Sequence, residues 1–304
     1  MKKKITSILL TLLVFNFSFG QVLTISSNLH QAKITTNLSK NNNPVVPPFR
    51  TCGTMEADSM LRANNPGLGT LQDFENWLQK KIAKDSEAGL KMPPVYTIPV
   101  IVHIIYNGEA VGSGSNISQA QVNSQFDVFN EDFRRLNADY SSAPVVFQPV
   151  SADIEILFCK AVVDPTGNVL AEPGIDRVNR SSKGFSAPPY SQSYIDGTIK
   201  PATSWDPTKY FNVWVLNLCN SLLGYAQFPS NSGLSGLSAN GGAANTDGIV
   251  ILYTAFGRVG NVAAPYNKGR TATHEAGHWV GLRHIWGDGT CATDYCNDTP
   301  TQQT

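Results

Sequence analysis

The sequence predicts a mixed α/β fold of the α+β type, in which helices pack on one mixed sheet. Two observations support this prediction: β-branched runs of strand length recur between residues 96 and 254, and two amphipathic helical stretches lie among them. Their order is strand, helix, four strands and helix, which is typical of a sheet covered by helices. The composition agrees, because 41% hydrophobic and 10% aromatic residues in a chain of 304 are enough for a sizeable core.

Residues 1–20 have the pattern of a secretory signal peptide. Three lysines at positions 2–4 precede an apolar stretch over 8–15, and Ser18 and Gly20 supply small residues before a cut after position 20. The alternative is a membrane anchor, but the apolar stretch is shorter than the roughly 20 residues that span a bilayer. We therefore expect an exported protein, secreted to the extracellular space or, as the alternative, to the periplasm.

Residues 21–92 are expected to form a pro-segment. The stretch from 21 to about 50 is polar and rich in Asn, Ser and Thr, which is typical of a poorly ordered lead-in. Apolar residues at helical spacing predict one short helix over 70–82. The stretch 85–94 contains a glycine and two prolines and is a plausible linker and processing site.

The main domain is expected over residues 93–304. Its first strand is the β-branched run 96–106, and Ser118 can cap a helix with one apolar stripe. That stripe consists of Val122, Phe126, Phe129, Phe133 and Leu136. Further strands are predicted over 154–163, 210–218, 222–228 and 248–254, a flexible loop over 230–246 and a second helix over about 271–280.

The candidate catalytic and metal-binding residues lie within that second helix and directly after it. His274 and His278 are four residues apart, so both imidazoles project from one helix face, and Glu275 lies beside them. Gly281 can adopt the positive φ that ends a helix abruptly, after which His284 returns as a third nitrogen ligand. Three neutral histidines suit Zn²⁺ and leave its fourth position open, as in a catalytic zinc site.

Three of the five histidines of the chain are expected metal ligands, and the other two are not. A lone His-Glu-x-x-His occurs by chance on surface helices, but here three of the five histidines fall in the eleven residues 274–284. His103 lies within a predicted strand and is expected to be a hydrogen-bonded core histidine. His30 lies in the polar lead-in and has no partner group near it in sequence.

The extended motif resembles that of the metzincin metalloproteases. Its flanks, Arg-Thr-Ala-Thr before it and Ile-Trp-Gly after it, with Asp-Thr-Pro at 298–300, resemble the pappalysin family and its cytophagalysin and ulilysin branch. The segments 98–103, 210–214 and 223–229 are similar to strands of that family in the same order, so the resemblance covers residues 95–304. It implies a twisted five-stranded mixed sheet, a backing helix, an active-site helix and endopeptidase activity on polypeptides.

The resemblance has one departure and suggests one further site. Metzincins carry a methionine-containing turn after the third histidine, whereas none of the four methionines here lies beyond Met92 and the sequence ends twenty residues after His284. The resemblance therefore implies that the lower subdomain is largely missing from this sequence. It also suggests calcium at Asp288, Asp294 and Asp298, although surface carboxylates in a loop are usually only solvated.

The short strand over 222–228 is expected to lie at a sheet edge. It contains a glycine and is closed by a proline, features that are typical of edge strands. By the metzincin resemblance it forms the upper rim of the cleft. An extended peptide is then expected to bind there as an added strand.

These features predict a secreted zinc endopeptidase that is made as a zymogen. Glu275 is the expected general base, which takes a proton from a zinc-activated water and passes it to the leaving amine. The alternatives are a zinc hydrolase of non-protein amides and an exported, non-catalytic zinc-containing binding module. Retention of Glu275 argues against the module, since a structural site needs no base. The 23 basic and 23 acidic residues cancel, which favours neither nucleic acid nor a membrane surface as partner.

The cysteines suggest how the zymogen is kept inactive. Cys159, Cys219, Cys291 and Cys296 belong to the main domain and can pair with one another or with cysteines beyond residue 304. Cys52 instead lies in the expected pro-segment beside Gly53. A thiolate is a better zinc ligand than water, and the glycine gives the backbone freedom to approach a metal. Cys52 is therefore the candidate latency switch, which the resemblance to the ulilysin branch also implies. The alternative is an ordinary disulfide partner or a free thiol.

Overall fold

The structure, a computed structural model, describes residues 52–88, 95–228 and 242–302. The predicted signal peptide, the polar lead-in and His30 lie outside these residues, as do most of the predicted linker and loop and the boundary at residue 93. All described residues belong to one compact unit, 43–304. Among them, no helix is both long and apolar enough to cross a membrane.

One mixed sheet forms the centre of this unit. Its strands are β1 (Tyr96–Tyr106), β2 (Ile156–Lys160), β3 (Ile175–Asn179), β4 (Phe211–Leu216), β5 (Gly224–Ala226) and β6 (Ile249–Leu252). The order is β2-β1-β4-β6-β5, and β3 pairs with β1 beside β2. The β5–β6 pair is antiparallel and the other described pairs are parallel. β5 is therefore an edge strand, as its sequence predicts.

The predicted mixed fold is confirmed, with one strand more than expected. β2 pairs with residues 96–100 of β1 and β3 with residues 102–106, so the two short strands share one side of β1. β3 has the sequence Ile-Asp-Arg-Val-Asn, in which only Ile175 and Val178 are buried hydrophobic residues. Such a weak apolar pattern does not predict a strand, and its pairing with the long β1 stabilises it instead.

Several of the described helices pack on this sheet. They are α1 (Thr54–Asn64), α2 (Leu71–Glu87), α3 (Gln119–Phe133), α4 (Gln192–Tyr194), α5 (Lys200–Thr203) and α6 (Arg270–Trp279). A π-helical turn over Ile195–Ile199 joins α4 to α5. α3 packs against β2 and α6, while α6 lies against β5 and β6, and α1 also contacts β5.

α3 forms where the sequence predicts a helix but ends earlier. The Ser118 hydroxyl accepts a hydrogen bond from the Gln121 N–H at 3.2 Å and so caps the first turn. Phe129 and Phe133 pack on Phe158 of β2, with ring centroids 4.9 and 4.8 Å apart. The expectation for Leu136 is wrong: the helix stops at Phe133, and this leucine is 73% exposed.

The predicted pro-segment contains two helices in its described part rather than the one expected. α2 begins after Thr70, whose side chain forms a capping box with Asp73, and it continues to Glu87, five residues beyond the prediction. α1 is missed by sequence reasoning because its apolar residues are few and its N-cap, Gly53, offers no side-chain hydrogen bond. Its packing on β5, which buries Thr54 and Asp58, supplies what the local pattern lacks.

His103 is a core histidine, as expected. It is fully buried in β1, where Nδ1 lies 2.8 Å from Asp176 Oδ2 and Nε2 lies 2.9 Å from Asn212 Oδ1. The Asn212 amide nitrogen donates to the Trp205 carbonyl, so its oxygen is the atom that faces the histidine. Both ring nitrogens therefore face hydrogen-bond acceptors on the neighbouring strands β3 and β4.

Candidate metal centre

α6 carries the first three residues of the motif, and contacts with α3 hold this helix in place. Asp132 of α3 accepts a hydrogen bond from Thr273 Oγ1 at 2.8 Å, and Arg270 Nε lies 3.2 Å from the same carboxylate. Burial raises the pKa of Asp132, although the bond from Thr273 and the charge of Arg270 oppose that shift. After α6, Gly281 has the positive φ that its place in the motif predicts, 100°, and the chain reverses toward His284.

The three predicted histidine ligands converge on one point. The Nε2 atoms of His274 and His278 lie 3.0 Å apart, and each lies 3.2 Å from Nε2 of His284. Around a tetrahedral zinc ion with Zn–N distances of roughly 2.0–2.1 Å, two nitrogen ligands lie about 3.3 Å apart. The spacing of the three nitrogens therefore fits a zinc ion between them.

In two of the three histidines, the hydrogen bond at Nδ1 fixes the tautomer that a metal requires. His278 Nδ1 lies 2.7 Å from the carbonyl oxygen of Leu282, and His284 Nδ1 lies 2.5 Å from Asp288 Oδ1. Both partners are acceptors, so Nδ1 carries the hydrogen in each ring and Nε2 presents its lone pair to the centre. Converging lone pairs repel one another unless a cation lies among them, so the donor set fits a metal ion.

Cys52, which precedes α1, completes the group. Its Sγ and the three histidine nitrogens all lie within 4.8 Å of one another. Sγ is 3.6 Å from His278 Nε2, and a thiolate and an imidazole on one tetrahedral zinc ion lie about 3.6 Å apart. Sγ also lies 3.5 Å from Glu275 Oε2. The structure thus brings together all five predicted site residues.

Gly53 helps Cys52 to reach the three histidines, but for a different reason than expected. Its φ is −98°, which any residue can adopt, so conformational freedom is not what the position requires. A Cβ atom there would lie 2.9 Å from Leu222 Cδ2 and 3.4 Å from the Gly224 carbonyl oxygen. The glycine therefore allows the segment before α1 to lie close against the edge strand, where Gly53 N donates to that carbonyl at 2.9 Å.

Glu275 is fully buried between α6 and the edge strand. A Cβ atom on Gly224 would lie 3.1 Å from Glu275 Cγ and 2.8 Å from the Val250 carbonyl oxygen, so β5 passes this carboxylate closely only because it has a glycine there. Thr54 donates to Glu275 Oε2 at 2.8 Å. Sequence reasoning missed the roles of Gly224 and Thr54, because neither belongs to a local pattern around the motif.

The predicted calcium site is not supported. Asp288 Oδ1 contacts His284, and Asp294 accepts a hydrogen bond from the Cys296 N–H at 3.0 Å. Within residues 52–88, 95–228 and 242–302, the group around Cys52 is the one cluster with metal-binding geometry. A disulfide among the cysteines is also not shown, since none of the five is bonded to another in the described chain.

Comparisons with known proteins agree with this geometry. Residues 194–304 match the peptidase family M43, described as pregnancy-associated plasma protein-A. Mature mirolysin of Tannerella forsythia in complex with a cleaved peptide is 43% identical, with a TM-score of 0.58, over 70% of this chain and 74% of that one. A promirolysin mutant from the same organism is 38% identical, with a TM-score of 0.65, over 84% of this chain and 77% of that one.

A curated relative extends the comparison to fungi. An extracellular metalloprotease of Podospora anserina is 30% identical over 207 residues, 68% of this chain, and this chain spans only 56% of that relative's length. A twisted mixed sheet over a helix with His-Glu-x-x-His, a glycine turn and a third histidine defines the metzincin class of metallopeptidases. Within that class, this chain belongs to the pappalysin family. The family predicted from the motif and its flanks is therefore confirmed.

Asp288 is expected to support metal binding by orienting His284. Asp288→Ala removes the acceptor at His284 Nδ1, and loss of such a partner typically weakens metal binding about 10- to 100-fold. The dissociation constant is measured on the intact zymogen by competition with a chelator. Asp294→Ala, which removes a carboxylate outside the cluster, is the control and should leave the affinity unchanged. Equal affinities in the two variants would contradict the orienting role.

Proposed function

We propose that this protein is an extracellular zinc endopeptidase that is made as a zymogen. In this proposal His274, His278 and His284 hold zinc, and Glu275 is the general base. The observation that carries it is the convergence of three Nε2 atoms within 3.0–3.2 Å, beside a fully buried glutamate. The extracellular location rests on the predicted signal peptide and on the names of the fungal relatives.

The roles of the residues follow from their positions. When bound, zinc supplies Lewis-acid chemistry, which polarises a scissile carbonyl and acidifies a water molecule. Glu275 lies 3.5 Å from Cys52 Sγ, so its carboxylate faces the place where the nucleophile would enter once the thiol has left. From there it accepts the proton of the nucleophile and donates it to the leaving amine. Asp288 and the Leu282 carbonyl keep the imidazoles of His284 and His278 oriented.

The proposed substrate is a polypeptide that binds along β5. In the zymogen, the backbone groups of Gly224 and Ala226 that face away from β6 are already bonded to the pro-segment. The Gly224 carbonyl accepts from Gly53 N at 2.9 Å, and the Ala226 N–H donates to Thr54 Oγ1 at 2.8 Å. An extended peptide can use the same edge groups after the pro-segment leaves. The mirolysin neighbour in complex with a cleaved peptide supports this class of substrate.

Cys52 is proposed to keep the zymogen inactive. Its thiol lies against the histidine cluster and, with zinc bound there, would serve as the fourth ligand and exclude the nucleophile. Cleavage between α2 and β1, within the predicted linker 85–94, would release the segment.

The function is tested with the full-length protein after proteolytic removal of the pro-segment. Casein should be hydrolysed, a zinc chelator should abolish hydrolysis, and added Zn²⁺ should restore it. Acetylated amino acids and other small amides serve as the comparison substrates. Cleavage of small amides without cleavage of casein would favour the non-protein amide hydrolase, and binding of zinc without any hydrolysis would favour the non-catalytic module.

A proline at the edge strand should impair substrate binding. Ala226→Pro removes the backbone N–H that faces the cleft, and the loss of one such hydrogen bond is expected to lower kcat/KM about tenfold. The processed enzyme is assayed with a fluorogenic peptide. Ala226→Gly keeps the N–H and is the matched control. An unchanged kcat/KM in the folded proline variant would argue against this binding mode.

A further inference from the structure

The hydroxyl group of Thr54 bridges the two parts of the candidate active site. This threonine is the first residue of α1, it is fully buried, and its Oγ1 takes part in two hydrogen bonds. It donates to Glu275 Oε2 at 2.8 Å and accepts from the Ala226 backbone N–H at 2.8 Å. One hydroxyl of the pro-segment thus contacts both the candidate base and the edge strand on which the substrate is proposed to bind.

We propose that Thr54 is a second latency residue, which keeps the zymogen inactive by binding Glu275 rather than the metal. The inference rests on the proposed function, because it assigns a role to the general base. The buried hydroxyl takes one acceptor site of Glu275 Oε2, so it competes with the water molecule that a general base must orient and makes the carboxylate a weaker proton acceptor. Removal of the Cys52 thiol alone leaves this hydrogen bond in place.

The position of the hydroxyl is fixed by the backbone on both sides of it. Gly53 N donates to the Gly224 carbonyl at 2.9 Å, and the Gly53 carbonyl accepts from Ala57 N at 2.9 Å in the first turn of α1. The first bond attaches the start of the helix to β5, and the second holds Gly53 in the first turn of the helix. Because Thr54 follows directly, its side chain is directed between Ala226 and Glu275 without any contribution from the metal.

The side chain also has the chemistry that both contacts require. A hydroxyl group can donate one hydrogen bond and accept another at the same time, so it satisfies a carboxylate and an N–H together. Serine retains both functions, whereas valine has nearly the same shape as threonine and neither function. Thr54→Ser and Thr54→Val therefore separate the hydrogen bonds of this residue from its volume.

The two latency contacts should be separable in the uncut zymogen. Cys52→Ala alone and Cys52→Ala with Thr54→Ser are expected to remain nearly inactive. Cys52→Ala with Thr54→Val should cleave a fluorogenic peptide at least about tenfold faster than the serine variant, the ratio expected when a hydrogen bond to a charged group is lost. Initial rates are measured while gel electrophoresis and mass spectrometry show that the pro-segment is still uncut.

A control variant tests whether the valine merely loosens α1. Cys52→Ala with Ala57→Gly weakens the same helix in its first turns and keeps the Thr54 hydroxyl, so this zymogen should remain inactive. Activity equal to that of the valine variant would overturn the specific role of Thr54. Full activity of Cys52→Ala alone would also overturn it, as would a folded valine variant as silent as the serine variant.

The mature enzyme distinguishes a failure of this inference from a failure of the proposed function. All variants are also assayed after the pro-segment has been removed by an added protease, when residues 52 and 54 are gone. Equal peptidase activity of every processed variant would mean that the zymogen differences report latency. Absence of activity in the processed wild-type protein would instead refute the proposed function, and the inference about Thr54 with it.

Discussion

Replacement of Glu275 by glutamine is expected to lower kcat by at least about a hundredfold and to leave the metal content unchanged. General acid–base catalysis typically contributes about 10²- to 10⁴-fold, and glutamine cannot accept the proton. Its amide has nearly the same shape, so the buried site between α6 and β5 should remain packed. The carboxylate is proposed as a base and not as a ligand, so metal binding should not depend on it.

The measurement combines peptide hydrolysis by the processed enzyme with metal analysis of the same preparation. His278→Ala is the matched comparison on the same helix, and it should lose both the metal and the activity because it removes one of three converging nitrogens. A Glu275→Gln enzyme with a near wild-type rate would exclude the proposed mechanism. Loss of metal from that variant would instead mean that Glu275 contributes to the metal site itself.

Removal of Glu75 is expected to destabilise the zymogen by about 3 kcal/mol or more. Glu75 of α2 accepts a hydrogen bond from Arg283 Nε at 2.9 Å, and the two side chains are only 6% and 10% exposed. Arg283 lies next to His284, a proposed metal ligand, and the Tyr295 ring covers the guanidinium group of Arg283 at 4.8 Å. Breaking a buried ion pair by deleting one partner typically costs about 3–5 kcal/mol, because the other charge stays buried.

The free energy of unfolding of Glu75→Ala and wild-type zymogens is compared by denaturant titration. Asp85→Ala is the control, since Asp85 pairs with Lys81 on the exposed face of the same helix and such pairs contribute about 1 kcal/mol or less. The processed enzyme lacks α2 and provides the reference for the main domain alone. A loss no larger than that of the control would mean that α2 is held by its apolar contacts rather than by this ion pair.

The sequence by itself determined the elements whose signals are local. The β-branched run of β1, the serine that caps α3 and the helical spacing of apolar residues in α2 each depend on residues within a few positions of one another. The metal motif is local as well, because helical geometry places His274 and His278 on one face and Gly281 turns the chain back. These patterns were sufficient to predict the mixed fold, the family and the residues of the candidate centre.

Only the tertiary structure decided the contacts between distant segments. Thr54 and Glu275 are 221 residues apart, Glu75 and Arg283 are 208 apart, and neither pair leaves a pattern in a window of sequence. α1 and β3 have weak local signals and exist because β5 and β1 offer them surfaces to pair with. Asp288 is close to the motif but was read as a calcium ligand, since its contact with His284 depends on a turn whose path no residue type specifies. A local pattern fixes the geometry of the few residues that form it, whereas a contact between distant segments forms only when the whole chain has packed.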